Sequence, residues 1–250
     1  MAHPDDLSVL TRPARAPDEV VTYGSDSDQI ADVRFGVDAQ GAAARPLVLI
    51  VHGGFWRPQY DRAHTGPMAE AISAAGWTVA SIEYRRVPGE PEKTLEDVSD
   101  ALARLPSSIS GHNGKVVLVG HSAGGHLVLW LSAVRATPEL IGTLAIAPAA
   151  DLALAHQLNL GEGAAELFIG ADPRTRPDLD PALLASPRVP TVIVHGDRDV
   201  VVRLSVAESY VASHPSVRLV RLIGVGHFAP IDPFSPVWPT TLGEVRKLSR

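Results

Sequence analysis

The sequence predicts an α/β fold, a mostly parallel, twisted sheet covered by helices on both faces. Three observations carry that prediction. Short apolar runs rich in β-branched residues recur, as at Leu47–Val51, Val116–Val119 and Thr191–His195. Their unbroken apolarity suits strands buried on both sides. Segments with helical spacing lie between them: in Thr94–Leu105 the residues Leu95, Val98, Ala101, Leu102 and Leu105 share one face. Finally, glycine-containing turns follow three of the runs directly, at Gly53-Gly54, Gly120-His121-Ser122-Ala123-Gly124 and Gly224-Val225-Gly226.

Taken in order, Val20–Tyr23 and Val33–Val37 read as two antiparallel strands across a Ser/Asp-rich turn. Leu47–Val51 follows, then a helix over about Thr65–Ala75 that stops at Gly76. Trp77–Tyr84 is the next strand and Thr94–Leu105 the next helix. Strand Val116–Val119 feeds a helical run at Leu127–Val134, and strand Thr143–Ala147 comes after it. Thr191–His195, a helix over Val202–Ala212, strand Val217–Ile223 and a helix from about Val237 complete the alternation. Residues 1–18, rich in Pro and charge, read as an N-terminal extension that wraps the surface or is disordered, ahead of one domain over 19–250. Asp151–Pro187 breaks the alternation with Leu152, Leu154, Leu158, Leu160, Leu167 and Phe168 among Gly, Pro and acidic residues. It lies between two strands and is read as a short cap beside the ligand crevice.

Composition limits the function classes. The chain has 250 residues, 45% apolar and 20% charged, and a mean hydropathy of +0.09, as expected of one globular domain with an ample core. A net charge of −6 leaves no basic footprint for nucleic acid. With no cysteine, neither a disulfide framework nor a thiolate metal site can form. No apolar run approaches the roughly 20 residues of a membrane span, and the N-terminus lacks the apolar core of a signal peptide. A cytoplasmic location is expected, with no membrane or nucleic-acid partner. No H-x-x-x-H or H-E-x-x-H spacing occurs, so neither a metal site nor another cofactor is expected.

Val116–Gly125, V-V-L-V-G-H-S-A-G-G, holds a G-x-S-x-G elbow between a strand and a helix. Glycines two residues either side of Ser122 suit a turn too tight for a Cβ. Ser122 is therefore a candidate nucleophile, held above the sheet edge at a helix N-terminus. Such elbows are followed along the chain by an acid and then a histidine. Of the histidines after Ser122, His195 ends the acid's own strand and His214 sits in a turn before Pro215. His227 follows Gly224-Val225-Gly226 and is the candidate base. Asp197 and Asp199 both lie in the loop after Thr191–His195. Asp199, further into the turn, is the expected acid, and Asp197 is expected to cap or brace the loop. His52-Gly53-Gly54-Phe55-Trp56 follows strand Leu47–Val51. Its glycines free backbone N–H groups to face a ligand, so Gly54 and Phe55, with Ala123, are candidate oxyanion donors. His52 reads as a structural imidazole.

These residues resemble the α/β-hydrolase superfamily: Gly120-His121-Ser122-Ala123-Gly124, Asp199 and His227 carry the likeness. His52-Gly53-Gly54-Phe55-Trp56 is similar to the loop of its hormone-sensitive-lipase-like and arylformamidase-like branch. Lipase-like esterases usually carry a third glycine where this chain has Phe55, whereas H-G-G-x-W with an aromatic x is the arylformamidase form. The resemblance implies an α/β-hydrolase fold and attack by Ser122 on a carbonyl, with His227 oriented by Asp199. Activity should rise with pH as His227 gives up its proton. Substrates are expected to be small-molecule esters, or alternatively N-formyl arylamines such as N-formylkynurenine. A non-catalytic ligand-binding protein of the same fold is the remaining reading, disfavoured because all three triad members are present. Candidate pocket walls are Phe55, Trp56, Tyr60, His126, Leu158, Phe168 and Phe228.

Overall fold

Alternate residues of a strand point to opposite faces, so a run that is apolar at every position must be covered on both sides. A computed structural model, which describes residues 7–250, places these runs at the centre of one eight-stranded sheet. The strands are β1 (Glu19–Thr22), β2 (Ile30–Arg34), β3 (Leu47–Val51), β4 (Val79–Ile82), β5 (Val116–His121), β6 (Leu140–Ile146), β7 (Thr191–Gly196) and β8 (Arg218–Leu222). Their spatial order is β1-β2-β4-β3-β5-β6-β7-β8. Pairs β1–β2 and β2–β4 are antiparallel; the other five are parallel.

The helices are α1 (Ala39–Ala43), α2 (Gly66–Ala74), α3 (Pro91–Ser108), α4 (Ala123–Val134), α5 (Leu152–Gln157), α6 (Ala164–Ile169), α7 (Leu204–Ser213) and α8 (Trp238–Leu248). One face of the sheet, with Leu47, Leu49, Val51, Val116 and Leu118, packs on Leu95, Val98 and Leu102 of α3, Leu127 and Leu131 of α4, and Val206 and Tyr210 of α7. The other face, with Val48, Ile50, Val117 and Val119, packs on Met68 and Ile72 of α2 and on Trp238, Val245 and Leu248 of α8.

Helix α1 has no counterpart in the sequence reading, and two further elements are displaced from it. The second strand is Ile30–Arg34, not Val33–Val37. Its short pairing with β1, Thr22 opposite Ile30 and Glu19 opposite Val33, buries Ala31 and Val33 while Asp32 points outward to Arg62 at 2.9 Å. Alternation with a charge hides this strand among polar neighbours. Helix α4 begins at Ala123, four residues before the apolar run at Leu127. Its first turn, Ala-Gly-Gly-His, is small because it lies against the sheet: a Cβ on Gly124 would collide with the Val51 and His52 carbonyls.

Of the N-terminal stretch, residues 1–6 lie outside the described residues. Beyond them, Leu7–Leu10 forms a short 3-10 turn with Val9 fully buried. Arg12 reaches Asp232 at 3.0 Å, and the Arg15 amide donates to Glu70 at 2.9 Å, so this stretch lies along the surface. Residues 151–187 carry α5, α6 and 3-10 turns at Pro173–Thr175 and Pro181–Leu183. Asp151, Asp172 and Asp180 each cap one of these elements with a side-chain oxygen on a backbone N–H.

Candidate active site

The C-terminal ends of β3, β5, β7 and β8 bring four loops together. Ser122 links β5 to α4 with φ +56° and ψ −117°, a conformation that costs a non-glycine residue about 1–3 kcal/mol. The surroundings enforce it. A Cβ on Gly120 would strike the Gly124 carbonyl, and one on Gly125 would strike Pro148. The Ser122 amide donates to Ile146 at 2.9 Å, and its carbonyl accepts from His126 at 3.1 Å. The backbone of Ser122 is thus fixed at the N-terminus of α4, where the helix dipole favours negative charge.

The histidine and acid come from the loops after β8 and β7. His227 Nδ1 lies 2.7 Å from Asp199 Oδ2. A carboxylate only accepts, so Nδ1–H donates and Nε2 is left as the basic nitrogen. Asp199 Oδ1 accepts from the amides of Val201 at 2.9 Å and Val202 at 2.8 Å. Burial opposes the Asp199 charge, but the charge and hydrogen bonding of His227 and His195 outweigh it and hold its carboxyl below the usual range. Asp197 faces away and accepts from the Gly224 amide at 2.7 Å, bracing the acid loop against the histidine loop. The Arg198 amide donates to Val225 at 2.9 Å, and a Cβ on Gly196 would collide with the Val225 carbonyl.

His195, passed over as the base, lies beneath this pair. Fully buried, it donates from Nε2 to the Val202 carbonyl at 2.8 Å, with Asp199 Oδ2 at 3.3 Å. Its position four residues before Asp199 was the available signal. His121 packs on the other side, its ring 4.6 Å from that of His227 and its Nε2 3.2 Å from the His227 carbonyl. Burial, with His227 and His64 nearby, pushes the His121 imidazole well below its ordinary pKa.

The loop after β3 contains three successive residues with positive φ: Gly54 at +114°, Phe55 at +55° and Trp56 at +54°. His52 underpins it. Its Nδ1–H donates to the Gly53 carbonyl at 2.6 Å, and its Nε2 sits 3.0 Å from Glu83 Oε1. In a trans peptide the C=O and N–H point in opposite directions, so this bond turns the Gly54 N–H away from His52. Glu83 is buried yet charged: burial raises its pKa, but His52, Arg86 and the Arg62 amide bring it down to about 2. The His52 ring stacks on Tyr84 at 4.4 Å, and Tyr84 Oη donates to the His52 carbonyl at 2.9 Å. His52 is structural, as read from sequence, but it also orients the peptide that carries a candidate oxyanion donor.

A small cavity opens beside Ser122 and Ala123, bounded by Phe55 and Trp56. Its far walls are Ala149, Ala155, Ala164 and Ala165, closed by Leu160 and Val202. Other predicted pocket residues stand elsewhere. Phe168 stacks on the outer face of Trp56 at 4.8 Å. His126 meets the Trp56 ring edge-on at 5.2 Å and holds the Leu179 carbonyl at 2.9 Å; burial pushes its pKa down to about 4. Leu158 is half-buried in the core. Tyr60 is 43% exposed and lies against Gly54. Phe228 packs edge-on against His227 at 4.8 Å. Of the aromatics favoured by the sequence reading, Phe55 and Trp56 line this cavity, and the remaining walls are mostly small residues of α5, α6 and the turn before α5. Among the described residues no group of three or more His, Asp or Glu could hold a metal ion, and no helix is long and apolar enough to cross a membrane.

A family profile described as "alpha/beta hydrolase fold" matches residues 48–229. Esterase LipC of Mycobacterium tuberculosis is 26% identical over 269 residues, covering 90% of this chain and 66% of that protein. Kynurenine formamidase of Salmo salar is 28% identical over 138 residues, 53% of this chain and 46% of that protein. The chain spans only 5% of the fungal non-reducing polyketide synthases it also matches. Among solved structures, Thermogutta terrifontis esterase 2 phosphonylated by sarin superposes with a TM-score of 0.75 at 18% identity, covering 99% of this chain and 96% of that one.

Proposed function

The chain belongs to the α/β hydrolase family, and from that premise we propose that it is a serine hydrolase of small carboxylic esters, with Ser122 as nucleophile, His227 as base and Asp199 as the acid that orients it. The observation that carries this reading is the strained Ser122, φ +56°, on the same sheet edge as a His227–Asp199 pair at 2.7 Å. A serine held in an unfavourable backbone conformation by three glycines is hard to account for by stability alone. The likeness to LipC, itself an esterase, supports it.

In the proposed reaction His227 Nε2 takes the hydroxyl proton as Ser122 Oγ bonds to the substrate carbonyl carbon. The resulting oxyanion is met by the N–H groups of Ala123, Gly54 and Phe55, each worth about 3 kcal/mol of transition-state stabilisation where geometry is ideal. The imidazolium then returns the proton to the leaving oxygen as its bond to carbon breaks. Water, deprotonated by His227, cleaves the acyl-enzyme to the free acid and restores Ser122. Residues 151–187 act as a cap over the acyl side. A fluorophosphonate probe tests the assignment: one adduct, mapped by peptide mass spectrometry to Ser122, is the expected result, and labelling elsewhere would refute it.

A second reading, hydrolysis of N-formyl arylamines such as N-formylkynurenine, is favoured by one feature, His52-Gly53-Gly54-Phe55-Trp56 with an aromatic in place of a third glycine. The likeness to the salmon kynurenine formamidase agrees with it. A kcat/KM for N-formylkynurenine above that for p-nitrophenyl acetate would select this reading; the reverse ranking would select the esterase.

A further inference from the structure

We propose that this hydrolase is restricted to acyl groups of one or two carbons, formyl and acetyl, and that an alanine-lined niche imposes the limit. The inference rests on the serine-hydrolase reading above.

The side of the site comes first. The base must reach the leaving atom to protonate it, so the leaving group lies toward His227. The niche beside Ser122 and Ala123 is not lined by His227 or Phe228. It therefore faces the opposite substituent of the carbonyl carbon, the acyl group. Its size follows from its walls. Ala149, Ala155, Ala164 and Ala165 are each buried, and with Leu160 and Val202 they leave about 10 Å³ open to a water-sized group. That is room for about one such group, a hydrogen or a methyl beyond the carbonyl carbon. The lining offers no charged side chain to an acidic or amino-bearing acyl chain.

The walls are also braced. Trp56 is backed by Phe168, stacked at 4.8 Å, and by His126. The Phe55 ring lies so close to Gly161 that a Cβ there would collide with it, and Arg57 Nη2 donates to the Gly161 carbonyl at 2.5 Å. This ties the loop carrying Phe55 to the turn between α5 and α6. A longer acyl chain would have to displace both, and a close-packed wall resists even one methylene.

The experiment measures kcat/KM for p-nitrophenyl formate, acetate, butyrate and hexanoate with wild type, Ser122→Ala, Leu160→Ala and Ala165→Val. Wild type should lose about tenfold or more between acetate and butyrate. Leu160→Ala, which opens the end of the niche, should raise hexanoate relative to acetate by about tenfold. Ala165→Val should depress acetate while sparing formate, and it tests the same wall if Leu160→Ala fails to fold. Hexanoate turnover equal to acetate in wild type, abolished by Ser122→Ala, would overturn the acyl limit and leave the serine mechanism standing. Turnover that survives Ser122→Ala would instead remove the reading on which the limit rests.

Discussion

At the scale of single residues, the site is assembled from positions where only one chemistry fits. Gly124 is in contact with two carbonyls of the β3 end, so Gly124→Ala has nowhere to put a methyl. Expression of that variant should give little folded protein, with a loss of about 1–3 kcal/mol or more from overpacking; a normal melting temperature would contradict the close approach. Glu83 is the buried anion that His52 and Arg86 face. Glu83→Gln should destabilise by roughly 3 kcal/mol, since removing one partner leaves the Arg86 charge uncompensated. It should also lower kcat more than it raises KM, because the Gly53–Gly54 peptide loses its support, and steady-state kinetics reads this directly. The need for glycine at position 124 was legible in the elbow spacing, whereas the role of Glu83 was not. His52 was recognisable as structural, but Glu83, 31 residues further on, carries no local signal for the pairing. The triad candidates were legible because strand, turn and chain order each constrain them.

At the scale of elements, the histidine and acid loops behave as one knitted unit. His195 donates to the Val202 carbonyl, which fixes the turn whose amides hold Asp199 Oδ1. His195→Phe should therefore lower kcat by about tenfold or more with KM little changed, as expected when a positioning contact needed in the transition state is lost. His195→Gln, which keeps a donor near Nε2, should recover much of that loss; equal damage from both variants would argue against the donor's role. Asp197 makes a different bond, to Gly224, and Asp197→Ala should cost about 1 kcal/mol of stability while Asp199→Ala removes most of the activity. The two aspartates share one loop in the sequence, and only the three-dimensional course of the turn separates them. Strand identities were readable wherever both faces are buried, as at β3, β5 and β7. The antiparallel pairing of the first two strands was read correctly, but the bounds of β2 slipped, where alternation with Asp32 and Arg34 masks the strand, as did the start of α4, whose first turn is too small to carry an apolar stripe. The four alanines of the niche beside Ser122 were missed for the same reason, since they leave no hydrophobic signature comparable to Phe55 or Trp56, which were read as walls.

For the whole molecule, burial of neutral imidazoles gives stability a definite pH dependence. His121 and His126 are essentially unexposed, His121 with a pKa well below the ordinary value and His126 with one of about 4. The unfolded chain, near about 6.5 for each, binds more protons between that value and the folded one. Their contribution is therefore complete above about pH 6.5 and is lost as the pH falls toward about 4. Asp199 and Glu83, both held low in the fold, add a further loss below about pH 4. Thermal melts should show a midpoint that falls steadily on acidification below about pH 6.5; a midpoint that rises there would contradict the burial of neutral histidine. The sheet, the two helical layers and the four convergent loops make a frame in which one strained serine is the centre. Its replacement is the most direct test. Steady-state hydrolysis of p-nitrophenyl acetate by Ser122→Ala, measured beside wild type with both proteins shown to be folded, should fall by about four orders of magnitude or more. Activity retained within about tenfold would contradict the account, because no other hydroxyl could then be excluded as the attacking group and the elbow at Ser122 would be only a turn.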